Sequence, residues 1–556
     1  MERWTMAHDE TGVPDGRWTR RRFLEAMAAT GGAAALYPTG EAVADVPPPA
    51  GGEDDVGQGR SVLVLGAGVG GMATAILLMR RGFSVTLLEA QARTGGRSHT
   101  LRNGDRVIEV RNGVREEQVC RMDEGLYFNA GPGRIPQHHT TIIRWCRELG
   151  VELEPYIMET RANLFQTPRA FQQAPLQNRQ VANDTRGWLA AMLYRLAPQV
   201  PGVDAAALRE LLLTFGALND KEHLGEYLGS SRSGYTDPPG VESPGTIREP
   251  LRLEQLLQSR FWDHKFYQPE EWEWQPTLFE PRGGMDMIER ALARQLGGRI
   301  RLNRQVVRVE TVPGVIPLVR VTHRNAATGD DQQQMTAHFC VSTIPLPILA
   351  RTANNFSEDF REAIAAVPFA PTCKVGWQAD SRFWEEDDQI YGGISYIDHP
   401  ITQMWYPSSG FFSRKGVLTG AYNYDADAVA YGRMSPAQRL ENAAAGALLL
   451  HPQFDRDVPR NRGITIAWQN VPFQEGGWSD WKPDQVDEYN RLLCPEANVF
   501  WVAGDQMSYL PGWQEGAALS ARYVAGRIAA PALLGTQPPR VRRAPNARAV
   551  VQGHRQ

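Results

Sequence analysis

Cysteine is scarce in this chain. The five present, Cys120, Cys146, Cys340, Cys373 and Cys494, are odd in number, and no two lie at metal-ligand spacing. A disulfide framework and a cysteine-based metal knot are both unsupported, and buried free thiols are the plain reading. Long apolar runs are missing as well. No stretch approaches the ~18 residues that a membrane span requires. Charge of one sign is also lacking: 59 Lys and Arg stand against 63 Asp and Glu, a formal net charge of −4. That balance provides no global basic field for nucleic acid. No internal repeat is visible.

What is present is length and an ordinary globular balance, 556 residues with 42% hydrophobic and 22% charged. Such a chain exceeds a single core and implies two or more domains. Fifteen Trp and sixteen Tyr suit aromatic-lined pockets.

The most informative stretch runs from Arg60 to Thr100. Ser61 to Leu65 is a short apolar run, as expected of a parallel strand buried on both faces. Gly66, Gly68 and Gly71 then spell G-x-G-x-x-G. The first glycine permits a tight turn, the second lets a pyrophosphate approach the backbone, and the third lets helix and strand pack closely. A helix over Gly70 to Arg81 would aim free N–H groups and its positive dipole end at phosphates. Phe83 to Leu88 reads as the second strand, with Glu89 at its end to accept the ribose hydroxyls. A carboxylate there disfavours NADP. Strand, turn, helix, strand and acid in order are the context that gives the motif weight, but the motif alone does not separate NAD from FAD.

Other segments follow in order. Thr19 to Leu24 (T-R-R-R-F-L) fits a twin-arginine export pattern, with an alanine-rich stretch over Ala26 to Leu36 and an A-x-A candidate at Ala42 to Ala44. We read 1–44 as a signal segment, implying a periplasmic or secreted protein, and 45–59 as a linker. If the leader is not used, the protein stays in the cytoplasm. Helices are expected from Pro136 to Leu149, Asn183 to Tyr194, Ala205 to Leu218, Asp286 to Leu296, Ser435 to Leu450 and Glu515 to Ala529. Strands are expected at Ile300 to Val309, Leu318 to His323, Phe339 to Pro345 and Val499 to Ala503, and Lys374 to Ala379 and Ile401 to Tyr424 look sheet-like. Lys221 to Pro250 reads as a long loop, and Phe261 to Phe279 is dense in aromatics with acids between them. From Gly535 the chain carries five Arg and no acid, which reads as a disordered basic tail over 535–556.

Arg93-Thr94-Gly95-Gly96-Arg97 resembles the R-x-G-G-R signature of the flavin amine oxidase superfamily. Over roughly residues 60 to 530 the order of motifs is similar to that of its L-amino acid oxidases. The resemblance implies an α/β fold: a discontinuous Rossmann-like FAD-binding domain (60–134, 280–345 and 490–534) with an inserted α+β substrate-binding domain and a helical subdomain (135–279 and 346–489). It implies FAD held by Gly66, Gly68, Gly71, Glu89, Arg97, Gly133, Arg134, the Val306 backbone, Gly504, Asp505 and Trp513. Many relatives carry Glu where Asp505 stands.

Gly131 to Pro136 resembles the motif whose arginine, here Arg134, holds a substrate carboxylate, and a planar guanidinium fork suits that task. Tyr406 resembles a tyrosine giving the carboxylate a second hydrogen bond. Gly512-Trp513 resembles the pair that receives the amine and walls the pocket, and Lys374 the lysine holding a water beside the flavin. The activity implied is oxidation of an L-amino acid by O2 to a 2-oxo acid, ammonia and hydrogen peroxide, with bulky neutral or aromatic side chains preferred, in a homodimer without metal. An amino acid 2-monooxygenase, an amine oxidase, an oxidase selective for arginine or lysine and a flavin-carrying binding protein are the competing readings. His138 and His139 read as packing or surface residues.

Overall fold

The computed structural model describes residues 56–530 and 536–545. The signal segment and the far end of the tail lie outside these residues. A five-stranded parallel sheet runs in the order Ile300–Arg301, Ser84–Leu88, Ser61–Leu65, Phe339–Ser342, Phe500–Val502. Its strands come from the N-terminal, central and C-terminal parts of the chain, so the nucleotide domain is discontinuous. Period-2 alternation with both faces buried explains why the central strand Ser61–Leu65 is apolar from Val62 onward. Val62 and Val64 enter one core with the helices Val69–Met79 and Gln514–Ala529. Leu63 and Leu65 enter another, with Val309, Val319 and Phe360.

The expected strand over 300–309 is two elements. Asn303 turns the backbone with φ 55°. Ile300–Arg301 stays in the parallel sheet, while Arg304–Val312 joins a separate four-stranded sheet. The other five helices form within a few residues of expectation, as at Asn178–Leu196 and Pro436–Leu450, the latter closed by a Ser435–Gln438 capping box. The helix expected from Asn183 starts five residues earlier, and the one expected from Pro136 starts later. Pro136 pairs with Leu278 in an antiparallel sheet, and the helix begins at Thr140.

The second large sheet has seven strands, in the order Leu176–Gln177, Leu164–Gln166, Ile394–Ile397, Gln403–Trp405, Gly416–Tyr424, Thr372–Ala379, Gly463–Ala467. It draws strands from both inserted segments and is antiparallel apart from the pairing of Leu164–Gln166 with Ile394–Ile397. The long loop 221–250 contains a short hairpin, Tyr235–Asp237 with Thr246–Ile247.

The tail expectation is corrected over 536–545. Val541 exchanges hydrogen bonds of 2.8 and 3.0 Å with the Asn490 side chain, and Ala544 is buried. The reading rested on charge, but Val541 and Ala544 supply apolar contacts that a charge count overlooks. No helix among the described residues is long and apolar enough to cross a membrane.

Candidate active site

A cavity of about 900 Å³ runs from the glycine turn to Trp513. That size lies at the upper end for small-molecule sites. Gly66 sits at φ +101°, and a Cβ on Gly71 would stand 2.0 Å from the Gly66 carbonyl oxygen, so both must be glycine. At Gly68 a Cβ would meet nothing closer than 4.0 Å, because the backbone there faces the open cavity. The helix Val69–Met79 begins with no side-chain cap and no acid in its first turn. Its N–H groups and dipole are left for an anion. Glu89 accepts from the Ala67 and Gln91 amides at 2.7 and 2.8 Å, which fixes both oxygens at the cavity wall. Burial raises its pKa above the usual carboxylate value, against those two amides. The Val306 backbone and Gly504 also line the cavity. An open backbone cradle, an uncapped helix start and a placed acid fit a bound dinucleotide.

The two arginines of R-x-G-G-R divide the work. Arg93 donates to the Thr94 and Gly96 carbonyls at 3.0 and 2.7 Å and so staples its own turn. Arg97 reaches the cavity wall, where it donates to the Gly477 carbonyl at 2.7 Å and pairs with Asp505 through both terminal nitrogens. Asp505 also accepts from the Gly512 amide at 2.9 Å. The shorter acid therefore ties Arg97 to the turn that carries Trp513.

At the inner end stands Arg134, 8% exposed. Its guanidinium carbon lies 4.9, 5.7 and 5.9 Å from the ring centres of Trp405, Tyr156 and Trp274. No carboxylate pairs with it among the described residues, and its Nε is buried without a partner. Lys374 shares the Trp405 ring at 4.5 Å and donates to the Gly131 and Asn129 carbonyls at 2.6 and 3.2 Å. Burial, and secondly the positive charge of Arg134, push its pKa down to about 7. Tyr422 stands opposite Lys374 across the paired strands, with its ring 4.8 Å from Nζ. Gly512 and Trp513 line the same end.

Three sequence assignments need correction. Tyr406 does not face Arg134. Its hydroxyl bonds Ser395 at 2.8 Å and His451 at 2.6 Å inside a different core. Neighbours in extended chain point to opposite faces, and here Trp405 takes the substrate face. Gly133 does not line the nucleotide cavity. A Cβ there would stand 2.6 Å from Trp405, so it is small to admit that ring beside Arg134. Arg134 likewise sits beyond the cofactor's walls, among the aromatics.

Sequence reasoning missed Tyr422, Trp405, Trp274 and Glu515. The carboxylate of Glu515 accepts from the Thr141 and Ile142 amides at 3.0 and 2.7 Å, capping the helix after Arg134 from two residues beyond Trp513. The only available signal was an acid in the first turn after Gly-Trp. Trp513 itself packs edge-on against His139 and Trp274, at 5.0 and 5.8 Å.

The fold and cavity are those of a dinucleotide-binding protein with a buried, aromatic-caged arginine at one end. Residues 69–529 match the family described as flavin containing amine oxidoreductase. The chain belongs to that family, and a flavin is therefore its cofactor. It is 25% identical over 493 residues to a putative L-amino-acid oxidase of Bacillus subtilis, covering 84% of this chain and 94% of that one. It is 28% identical over 481 residues to an L-amino-acid oxidase of Siganus canaliculatus, covering 84% and 85%. Among solved structures it resembles cyclohexylamine oxidase from Brevibacterium oxydans, with a TM-score of 0.54 at 17% identity over 84% of this chain and 98% of that one. A putrescine oxidase gives a TM-score of 0.53, also at 17% identity and with the same coverage. At that identity the two structures speak to the fold alone.

Proposed function

We propose that this chain is an FAD-dependent L-amino acid oxidase. The observation that carries the reading is Arg134: a buried guanidinium, caged by aromatic rings and without a carboxylate partner. Leaving a charge buried and unpaired costs several kcal/mol, on the order of 3–5. An α-carboxylate removes that cost with two parallel hydrogen bonds. An amine without a carboxylate does not. The relatives named as L-amino-acid oxidases agree with this choice.

Arg134 holds the carboxylate, and Tyr422, rather than Tyr406, is placed to add a hydrogen bond. The Gly512 carbonyl and the Trp513 ring receive the amine, which fixes the direction of the Cα–H bond. Lys374, neutral in part near pH 7, holds a water or proton between the Gly131 carbonyl and the pocket. Trp274, Trp405 and Tyr156 exclude bulk water. Glu89, Arg97, Asp505 and the glycine turn hold FAD, which when bound accepts a hydride from Cα and returns two electrons to O2 as hydrogen peroxide. Water then hydrolyses the released imino acid to a 2-oxo acid and ammonia. Lys265 lies 4.1 Å from the Tyr424 ring, with Glu271, Asp425 and Arg134 in its field. The aromatic walls suit bulky neutral or aromatic side chains.

The test is anaerobic bleaching of the flavin absorbance by L-amino acids and by their decarboxylated amines. Bleaching by the amino acids alone supports the reading. Bleaching by the amines alone overturns it and makes this an amine oxidase. Assaying peroxide, oxo acid and amide in air then separates an oxidase from a monooxygenase.

A further inference from the structure

The aromatic segment 261–279 closes over Arg134, and one cluster joins it to the helix that follows the arginine motif. Glu273 meets His138 and His139 there. Both imidazole Nε2 atoms lie 2.9 Å from the same carboxylate oxygen, Oε2. The three potential ligand atoms all lie within 4.8 Å of one another. His139 is buried with its ring edge against Trp513, and the half-buried His138 stacks on Trp272 at 4.6 Å. None of the three residues is needed to bind FAD or the amino acid.

We propose that His138, His139 and Glu273 form a binding site for a divalent transition cation of the zinc type, and that metal bound there clamps the aromatic segment and inhibits the enzyme. Two imidazoles and a carboxylate are a donor set typical of Zn²⁺. Both nitrogens meet the same carboxylate oxygen, so the three donor atoms form one compact cluster. A tetrahedral ion with bonds of about 2.0–2.1 Å wants its ligand atoms about 3.3 Å apart. Each nitrogen–oxygen separation therefore opens by a few tenths of an ångström, and the two nitrogens, within 4.8 Å of one another, settle to the same spacing. His138 gives the site a path to solvent, which a loadable site requires.

The consequence follows from position. Glu273 is next to Trp274, whose ring faces both Trp513 and Arg134. His139 also packs against Trp513. A metal bond in place of two hydrogen bonds would hold the segment shut across the substrate pocket. The inhibition should be slow to reverse and relieved by a chelator.

The experiment titrates the flavin-loaded enzyme with ZnCl2 and measures bound metal after desalting. One Zn²⁺ per chain is expected. In His138→Gln and Glu273→Gln, zinc affinity should fall by roughly tenfold or more, with the flavin spectrum and melting temperature confirming a folded holoenzyme. Turnover of wild type should fall on adding ZnCl2 and return with chelator, while His138→Gln keeps its turnover. No stoichiometric zinc, or equal zinc in wild type and both variants, overturns the site. Zinc bound at this site without inhibition overturns the clamp. Because bound metal is counted directly, the outcomes that test the site do not depend on which substrate the enzyme takes.

Discussion

The two ends of the cavity are assembled differently. At the nucleotide end, Gly66, Gly68, Gly71 and Glu89 fall in one βαβ unit, and local backbone geometry places them. At the substrate end, Arg134 meets Tyr156, Trp274, Lys374, Trp405 and Tyr422, drawn from strands and loops scattered between the nucleotide-domain segments. The first end depends on turn chemistry that a motif records. The second depends on which face of each strand looks inward, and no motif records that.

The largest effect should come from the nucleotide end. Gly71→Ala puts a Cβ 2.0 Å from the Gly66 oxygen, so the turn cannot keep its shape. The purified variant should carry almost no flavin absorbance. Full flavin content would show that this end is not set by local geometry.

Arg134→Met should come next, at the other end. Its flavin content should match wild type, while kcat/KM for L-amino acids falls by roughly two to four orders of magnitude, corresponding to ~3–5 kcal/mol. The decarboxylated amines should be little affected. A loss of flavin in this variant would merge the two ends.

The two tyrosines sharpen the contrast further. Tyr422→Phe should lower kcat/KM about tenfold through loss of one hydrogen bond to a charged group, with stability unchanged. Tyr406→Phe should do the reverse. It strips a partner from His451 and Ser395 and should cost about 1–3 kcal/mol of stability, read by urea denaturation, with kcat/KM intact.

The smallest effect is a slope. Lys374 has its pKa pushed from 10.5 to about 7 in the fold. Between about pH 7 and 10.5 the unfolded chain holds a proton there that the native state does not, so stability rises with pH across that window. Below about 7 the cost of burying the charge is fully present. Lys374→Met should be more stable than wild type at pH 7 and show a shallower rise toward pH 10. Lys265 is lowered to about 7 as well, chiefly by burial, so part of the slope should survive. Urea midpoints across pH measure it.

Much of the fold was legible because its signals are local. Ser61 to Leu65 alternates between two cores and so reads as unbroken apolar sequence. Ser435 and Gln438 announce a helix start through a capping box. Pro136 was misread because its fixed φ suits a strand as well as a first helical turn, and pairing with Leu278 settled the matter.

By itself the sequence determined the dinucleotide turn, the acid at the second strand, the family's motifs and the arginine of the Gly131 to Pro136 motif. These rest on backbone conformations and residue chemistries that act over a few positions. Only the tertiary structure decided that Trp405 and not Tyr406 looks at Arg134, that Tyr422 stands beside Lys374, that Asp505 ties Arg97 to the Gly512 turn, and that Glu273 reaches two histidines more than 130 residues earlier. Alternation along a strand separates two faces without saying which is inward. That choice is made by the partners the sheet brings together.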